Sequence, residues 1–231
     1  MTQVKSRGFT IIELMLSMTF LAMLMLVIAL TTIQISNIYN KGVTLREVNQ
    51  AGRSVSASLQ RSIATAVPFN VTPSVGAPST SQYVVRGDGG RLCLGNYTYA
   101  WTYGANITGG TQSLNKYTVG GAAVRFAKIA DPGASLCKGN PGTIDAAQAS
   151  ELLTSGDRDL VVQSFTIQQT ASEPLTGEAL YAISMVIGTS DTTQLLADKS
   201  ACKPPSGLSG VDNYCSVNRF DIIAHAGNTV Q

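Results

Sequence analysis

From Leu14 to Tyr39 the chain carries no charged side chain, and a single carboxylate, Glu13, stands at the head of that run. Residues 9–33 make a stretch of 25, which as an α-helix rises about 37 Å. A bilayer core needs only about 20 apolar residues. Residues 9–35 therefore read as a helix able to span a membrane with some tilt. Lys5 and Arg7 precede it, so the positive-inside rule predicts a cytoplasmic N-terminus and an extracytoplasmic remainder. A cleaved secretory signal fits poorly. Its apolar run is about 7–15 residues with a small-x-small site behind it, and Ala29-Leu30-Thr31-Thr32 is not such a site. A plain anchor explains everything except Glu13, because a carboxylate costs about 2.5–3.5 kcal/mol near a membrane helix's centre and less toward its end.

Beyond this run the composition changes to Gly, Thr, Ser and Asn. Only 13% of the residues are charged, against about 25% in an ordinary soluble domain. Without Lys5 and Arg7 the side chains are neutral overall, with 14 acidic residues matched by as many basic ones. This balance argues against nucleic acid as a partner. Cys93, Cys137, Cys202 and Cys215 all follow the apolar run, have no C-x-x-C spacing and share the chain with one histidine. They predict two disulfides in an oxidising compartment rather than a zinc site. Three pairings are possible. Cys202 with Cys215 closes a short loop around Pro204, Pro205 and Gly207 and leaves Cys93 for Cys137, but loop length does not select this solution.

The helical pattern continues past the apolar run. Ile35, Ile38, Tyr39, Leu45, Val48, Val55, Leu59 and Ile63 recur at spacings of mostly three, four and seven, opposite Lys41, Arg46, Glu47, Arg53 and Arg61. Gly42 and Gly52 weaken the helix by about 1 kcal/mol each and allow a bend or a close approach. Pro68 ends it. The expectation is one interrupted helix over about 9–66, whose second half, 36–66, is the spine of a head formed by 67–231. Residues 71–82 read as a loop. Strand-like runs follow at 83–86, 91–94, 97–103, 124–129, 159–170, 180–188 and 219–224. Tyr97, Tyr99, Trp101 and Tyr103 alternate along one of them and give it an aromatic face. Residues 144–153 read as a short helix capped by Asp145. The fold class is α+β, a long helix laid against an antiparallel sheet.

Arg7-Gly8-Phe9-Thr10-Ile11-Ile12-Glu13-Leu14 resembles the class III signal of type IV prepilins: a basic leader, Gly-Phe, Thr-x-x-Glu, then an apolar helix. The resemblance covers about 25 residues and implies a pilin-like subunit. It further implies that a prepilin peptidase removes leader 1–8 by cutting between Gly8 and Phe9 and methylates the new Phe9 amine. Glu13 then lies about one helical turn from that amine and pairs, in the family, with a neighbouring subunit's amine. Either charge alone is costly in an apolar filament core, and the two compensate. The competing reading is that Glu13 snorkels to the headgroups. Leu152-Leu153 followed by Asp159 to Ile167 resembles the strand pattern of larger minor pilins, and Asn218 to Asn228 is similar to the closing strand of W-type minor pilins and J-type minor pseudopilins. His225 and Gly227-Asn228 depart from the Arg-Asn ending common there. The implied role is a minor pilin that initiates or tips a type IV pilus (fimbrium). A type II secretion pseudopilin and a tip-located adhesion or DNA-binding module are the alternatives. The implied partners are other pilin subunits, the prepilin peptidase, the inner-membrane assembly platform and the membrane.

Enzymatic chemistry finds no support. No nucleophile–base constellation can be built: His225 is the only histidine, lies in a strand-like stretch and reads as a structural residue, and neither a cofactor nor a metal is expected. Asp157 with Asp159, and Asp212 with Asn213, each lack the rest of a calcium loop. Arg86-Gly87-Asp88 lies between two strand-like runs and reads as a turn.

Overall fold

The computed structural model describes residues 8, 10–72, 81–107, 114–138, 143–153, 159–173, 175, 177–204 and 214–227. The chain divides into two compact units, 1–42 and 43–231. One helix, α1 (Ile11–Ala64), runs unbroken through Gly42 and Gly52.

In the second unit, eight strands follow the helix: β1 (Tyr83–Arg86), β2 (Gly89–Cys93), β3 (Tyr97–Thr102), β4 (Phe126–Ala130), β5 (Ala149–Glu151), β6 (Leu160–Glu173), β7 (Glu178–Thr189) and β8 (Val217–Ala226). They form a five-stranded sheet, β1-β2-β3-β4-β5, and a three-stranded sheet, β6-β7-β8. Every paired neighbour is antiparallel. A parallel bridge between Tyr103 and Val162 links the two sheets. Gly87-Asp88 makes the two-residue connection of the β1–β2 hairpin, the turn expected at Arg86-Gly87-Asp88.

The apolar stripe of the helix explains how the head is assembled. Val48, Val55, Leu59 and Ile63, spaced by seven, four and four, are fully buried against the sheets. Polar contacts fix the docking. The Tyr99 hydroxyl lies 2.8 Å from Ser62 Oγ and 2.9 Å from Ser58 Oγ. Where the helix ends, the Phe69 ring stacks on Tyr181 at 4.2 Å. The Tyr181 hydroxyl accepts from the Phe69 N–H at 2.8 Å and donates to its carbonyl at 2.9 Å. Burial raises the Tyr99 and Tyr181 pKa values, so both hydroxyls stay neutral donors.

The aromatic face of β3 forms the centre of the core rather than a binding surface. Trp101 is fully buried, 4.3 Å from the Phe165 ring and 6.1 Å from Phe126. Tyr103 is half-buried and Tyr97 reaches the surface, where the Lys128 ammonium sits 4.0 Å above its ring.

Gly52 is a close approach rather than a bend. A Cβ there would lie 2.1–2.5 Å from three carbon atoms of the Phe220 ring on β8. We expect Gly52→Leu to lower head stability by about 1–3 kcal/mol through overpacking. Adding Phe220→Ala is expected to recover part of the loss. Denaturant unfolding of the four variants of this cycle measures it, and unchanged stability for Gly52→Leu alone would show that the groove has room.

Two expectations are corrected. The helix expected to be interrupted is continuous over Ile11–Ala64, so the propensity cost of Gly42 and Gly52 does not break it. Residues 144–153 are not a helix. Asp145 Oδ1 accepts from the Ala147 N–H at 2.9 Å, a local Asx turn, and the chain then enters β5 beside β4. Glu151 decides the outcome. Its carboxylate accepts from the Phe126 N–H at 2.6 Å, the Arg125 N–H at 3.0 Å and the Tyr117 hydroxyl at 3.0 Å. These tertiary bonds outweigh the helix propensity of the alanines.

Candidate functional site

The first turn of α1 is built by Thr10 and Glu13. Glu13 Oε2 accepts from the Thr10 N–H at 3.1 Å and from the Thr10 hydroxyl at 2.9 Å. Thr10 Oγ1 in turn accepts from the Glu13 N–H at 3.3 Å. This reciprocal pair is a capping box, in which each side chain satisfies a backbone donor that the first helical turn leaves without a partner. Thr10 opens the Thr-x-x-Glu run that precedes the apolar helix, and this spacing is itself the signature of such a cap. Among the described residues only Oε2 of the carboxylate is engaged, and Oε1 keeps its lone pairs for another donor. Gly8 is exposed and non-helical. Phe9, Lys5 and Arg7 lie outside the described residues.

Every described side chain from Thr10 to Ser36 is exposed. The most apolar 18-residue window of the helix has a mean hydropathy of 2.4. An uncovered apolar surface of this length is consistent with a membrane-anchoring or signal segment. The few hydroxyls along it satisfy themselves: Ser17 donates to the Leu14 carbonyl at 2.9 Å, Thr19 to Leu16 at 2.9 Å and Thr32 to Ile28 at 2.8 Å. A helix in lipid, or packed among other helices, needs its polar groups paired internally in this way.

In the head, Cys93 is joined to Cys137 and Cys202 to Cys215. Around the first disulfide is a buried polar lattice that sequence pattern does not reveal. Arg91, 1% exposed, donates to Asn115 Oδ1 at 2.8 Å, to the Leu114 carbonyl at 2.6 Å and to the Leu136 carbonyl at 2.9 Å. Burial lowers its pKa to about 10. Asp131 accepts from the Thr98 hydroxyl at 2.7 Å, from the Ser135 and Leu136 N–H groups at 2.9 and 3.1 Å, and from the Ser135 hydroxyl. Burial pushes its pKa up, but these four donors outweigh it and hold the carboxyl below its ordinary value. The lattice pins the loop that carries Cys137 onto β2 and β3.

The remaining polar candidates are not brought together. His225 Nε2 stands 3.5 Å from Glu178 Oε2 at the sheet surface. Asp159 pairs with Arg125 at 3.1 Å, while Asp157, Asp212 and Asn213 lie outside the described residues. Among the described residues no group of three or more His, Cys, Asp or Glu is placed to hold a metal ion.

No protein-family model matches the chain, and no curated protein or solved structure shows a significant match. The fold itself is pilin-like: a long apolar N-terminal helix whose second half packs on antiparallel sheet. It is consistent with a structural subunit of the pilin or pseudopilin kind.

Proposed function

We propose that the chain is a minor subunit of a type IV pilus, made as a membrane-held precursor, cut after Gly8, and drawn into the filament by its exposed helix. The observation that carries this reading is the start of α1: a carboxylate with one oxygen unengaged among the described residues, heading an apolar helix whose described side chains from Thr10 to Ser36 are all exposed. In a filament such helices cover one another, and Glu13 receives the Phe9 amine of a neighbouring subunit. Prepilin peptidase, an inner-membrane assembly platform and other pilin subunits are the partners this role requires. The neutral side-chain balance favours protein neighbours over DNA.

Glu13 has two jobs in this scheme, capping its own helix and pairing across subunits, and two substitutions separate them. Glu13→Gln keeps the capping box, since glutamine serves at that position, but removes the charge. Glu13→Ala removes both. We expect leader cleavage and membrane insertion to persist in each, because losing a charge eases membrane residence. Incorporation, measured as subunit in sheared filaments relative to subunit in the membrane, is expected to fall strongly for alanine, because an unpaired amine in an apolar core costs several kcal/mol. It is expected to fall less for glutamine, which keeps shape and hydrogen bonding, yet clearly below wild type. A wild-type ratio for Glu13→Gln would reduce the carboxylate to a helix cap.

A further inference from the structure

The three-stranded sheet has two edges, and they are treated differently. On the β8 side the helix is in contact: Gln60 Nε2 donates to the Ile223 carbonyl at 3.1 Å, and Asn218 Nδ2 to Asn49 Oδ1 at 2.6 Å. On the β6 side, among the described residues, the only strand-like pairing beyond β7 is the single bridge from Val162 to Tyr103. A register shift between Val162 and Ser164 then moves the outward-turned backbone groups by one residue. The Phe165 carbonyl accepts from the Tyr83 hydroxyl at 3.2 Å, on the side away from β7. Outward positions alternate along an antiparallel strand, so Ile167 and Gln169 also turn their N–H and C=O groups to the open edge.

This edge borders a cleft of about 510 Å³. Thr166, Ile167, Gln168 and Gln169 line one side, and Asn70, Thr72 and Tyr83 the other. Natural sheets defend open edges with lysine, proline, an inward charge, a covering loop or β-bulges that twist the edge away. From Leu160 to Ser172, β6 has no lysine, proline or charged residue, and its two register shifts, between Val162 and Ser164 and between Gln169 and Ala171, leave Ser164–Gln169 in regular register between them. We infer that the cleft is a strand-addition site, which takes one extended, uncharged segment of another polypeptide alongside Thr166–Gln169.

The dimensions and the chemistry select that occupant. Four residues of strand are about 14 Å long at 3.4 Å each, room for a segment of four or five residues. Among the described residues no charged side chain lines the cleft, so a charge entering it would lose water without gaining a partner there. Main-chain bonds to Ile167 and Gln169 supply the affinity, and the side chains facing Val71 and Tyr83 supply the selection.

The test is amide exchange of the full-length chain in detergent micelles, with and without the neutral peptide acetyl-Thr-Val-Thr-Val-Thr-amide at millimolar concentration. The expected result is exchange at Ile167 and Gln169 slowed at least tenfold, with no change in the β7–β8 amides. The same peptide with proline at its centre should lack the effect. Gln169→Pro removes an outward N–H but no bond to β7, so this variant should keep its β7 protection and lose peptide-induced slowing at Ile167. Four outcomes would overturn the inference. One is no slowing by the peptide, and another is equal slowing by its proline version. A third is protection already complete in the free chain, which means the chain covers its own edge. The last is protection that rises with protein concentration alone, which means a second copy occupies the cleft.

Discussion

Trp101→Ala is expected to remove about 3–5 kcal/mol of head stability, the usual loss for truncating a large buried aromatic. The position explains the size of the effect. Trp101 lies on β3, the central strand of its sheet, stacks against Phe126 at 6.1 Å and meets Phe165 on β6 at 4.3 Å. It is thus a principal apolar contact between the two sheets, outside the bridge at Tyr103. Its partner β2 is shaped for it: a Cβ at Gly90 would lie 2.2 Å from the indole ring, so the strand leaves out a side chain where the ring passes. A domain's stability is about 5–15 kcal/mol, so the variant is expected to lose much of it. Denaturant unfolding followed by the remaining aromatic signals, with Tyr97→Ala as a surface control, measures the difference. A Trp101→Ala loss no larger than that of Tyr97→Ala would show that the core is not centred on this ring.

Loss of the Cys93–Cys137 disulfide should cost a comparable amount. Its sequence separation is 44 residues, for which chain-entropy arguments give about 4 kcal/mol, against about 3 kcal/mol for the 13-residue separation of Cys202 and Cys215. Cys93 and Cys137 are also buried, so removing them disturbs packing beside the Arg91 and Asp131 lattice. The Cys93→Ser, Cys137→Ser double variant is expected to be distinctly less stable than the Cys202→Ser, Cys215→Ser one. Equal melting of the two pairs would show that loop length and burial do not govern their contributions. Thiol labelling of unreduced, denatured wild-type protein is expected to find no free thiol.

The sequence made some of these features legible because they depend on local spacing alone. Val48, Val55, Leu59 and Ile63 declare one helical face wherever they occur, and the alternation from Tyr97 to Tyr103 declares a strand. That its other face, Thr98, Ala100 and Thr102, is buried as well was not legible, because the residues covering it come from elsewhere in the chain. Other features depend on partners distant in sequence. Asp145 and the alanines after it read as a helix start, and only Glu151, reaching the backbone of β4, shows why the segment is a turn and a strand. Arg91 gave no sign of burial, because its acceptors are carbonyls of Leu114 and Leu136 that folding alone brings near. Gly52 was ambiguous between bend and close approach until Phe220, far along the chain, filled the notch. At the N-terminus, Glu13 was legible as an oddity in an apolar run. The Thr-x-x-Glu spacing also carries a cap, and the two roles are compatible because, among the described residues, the cap engages only one carboxylate oxygen.

N-terminal mass spectrometry of the protein isolated from its native envelope distinguishes a processed filament subunit from a plain anchored protein. The expected chain begins at Phe9 with a methylated amine, and a Gly8→Glu variant is expected to keep its leader. A wild-type chain still carrying Met1 and residues 2–8, in cells with active prepilin peptidase, would contradict processing.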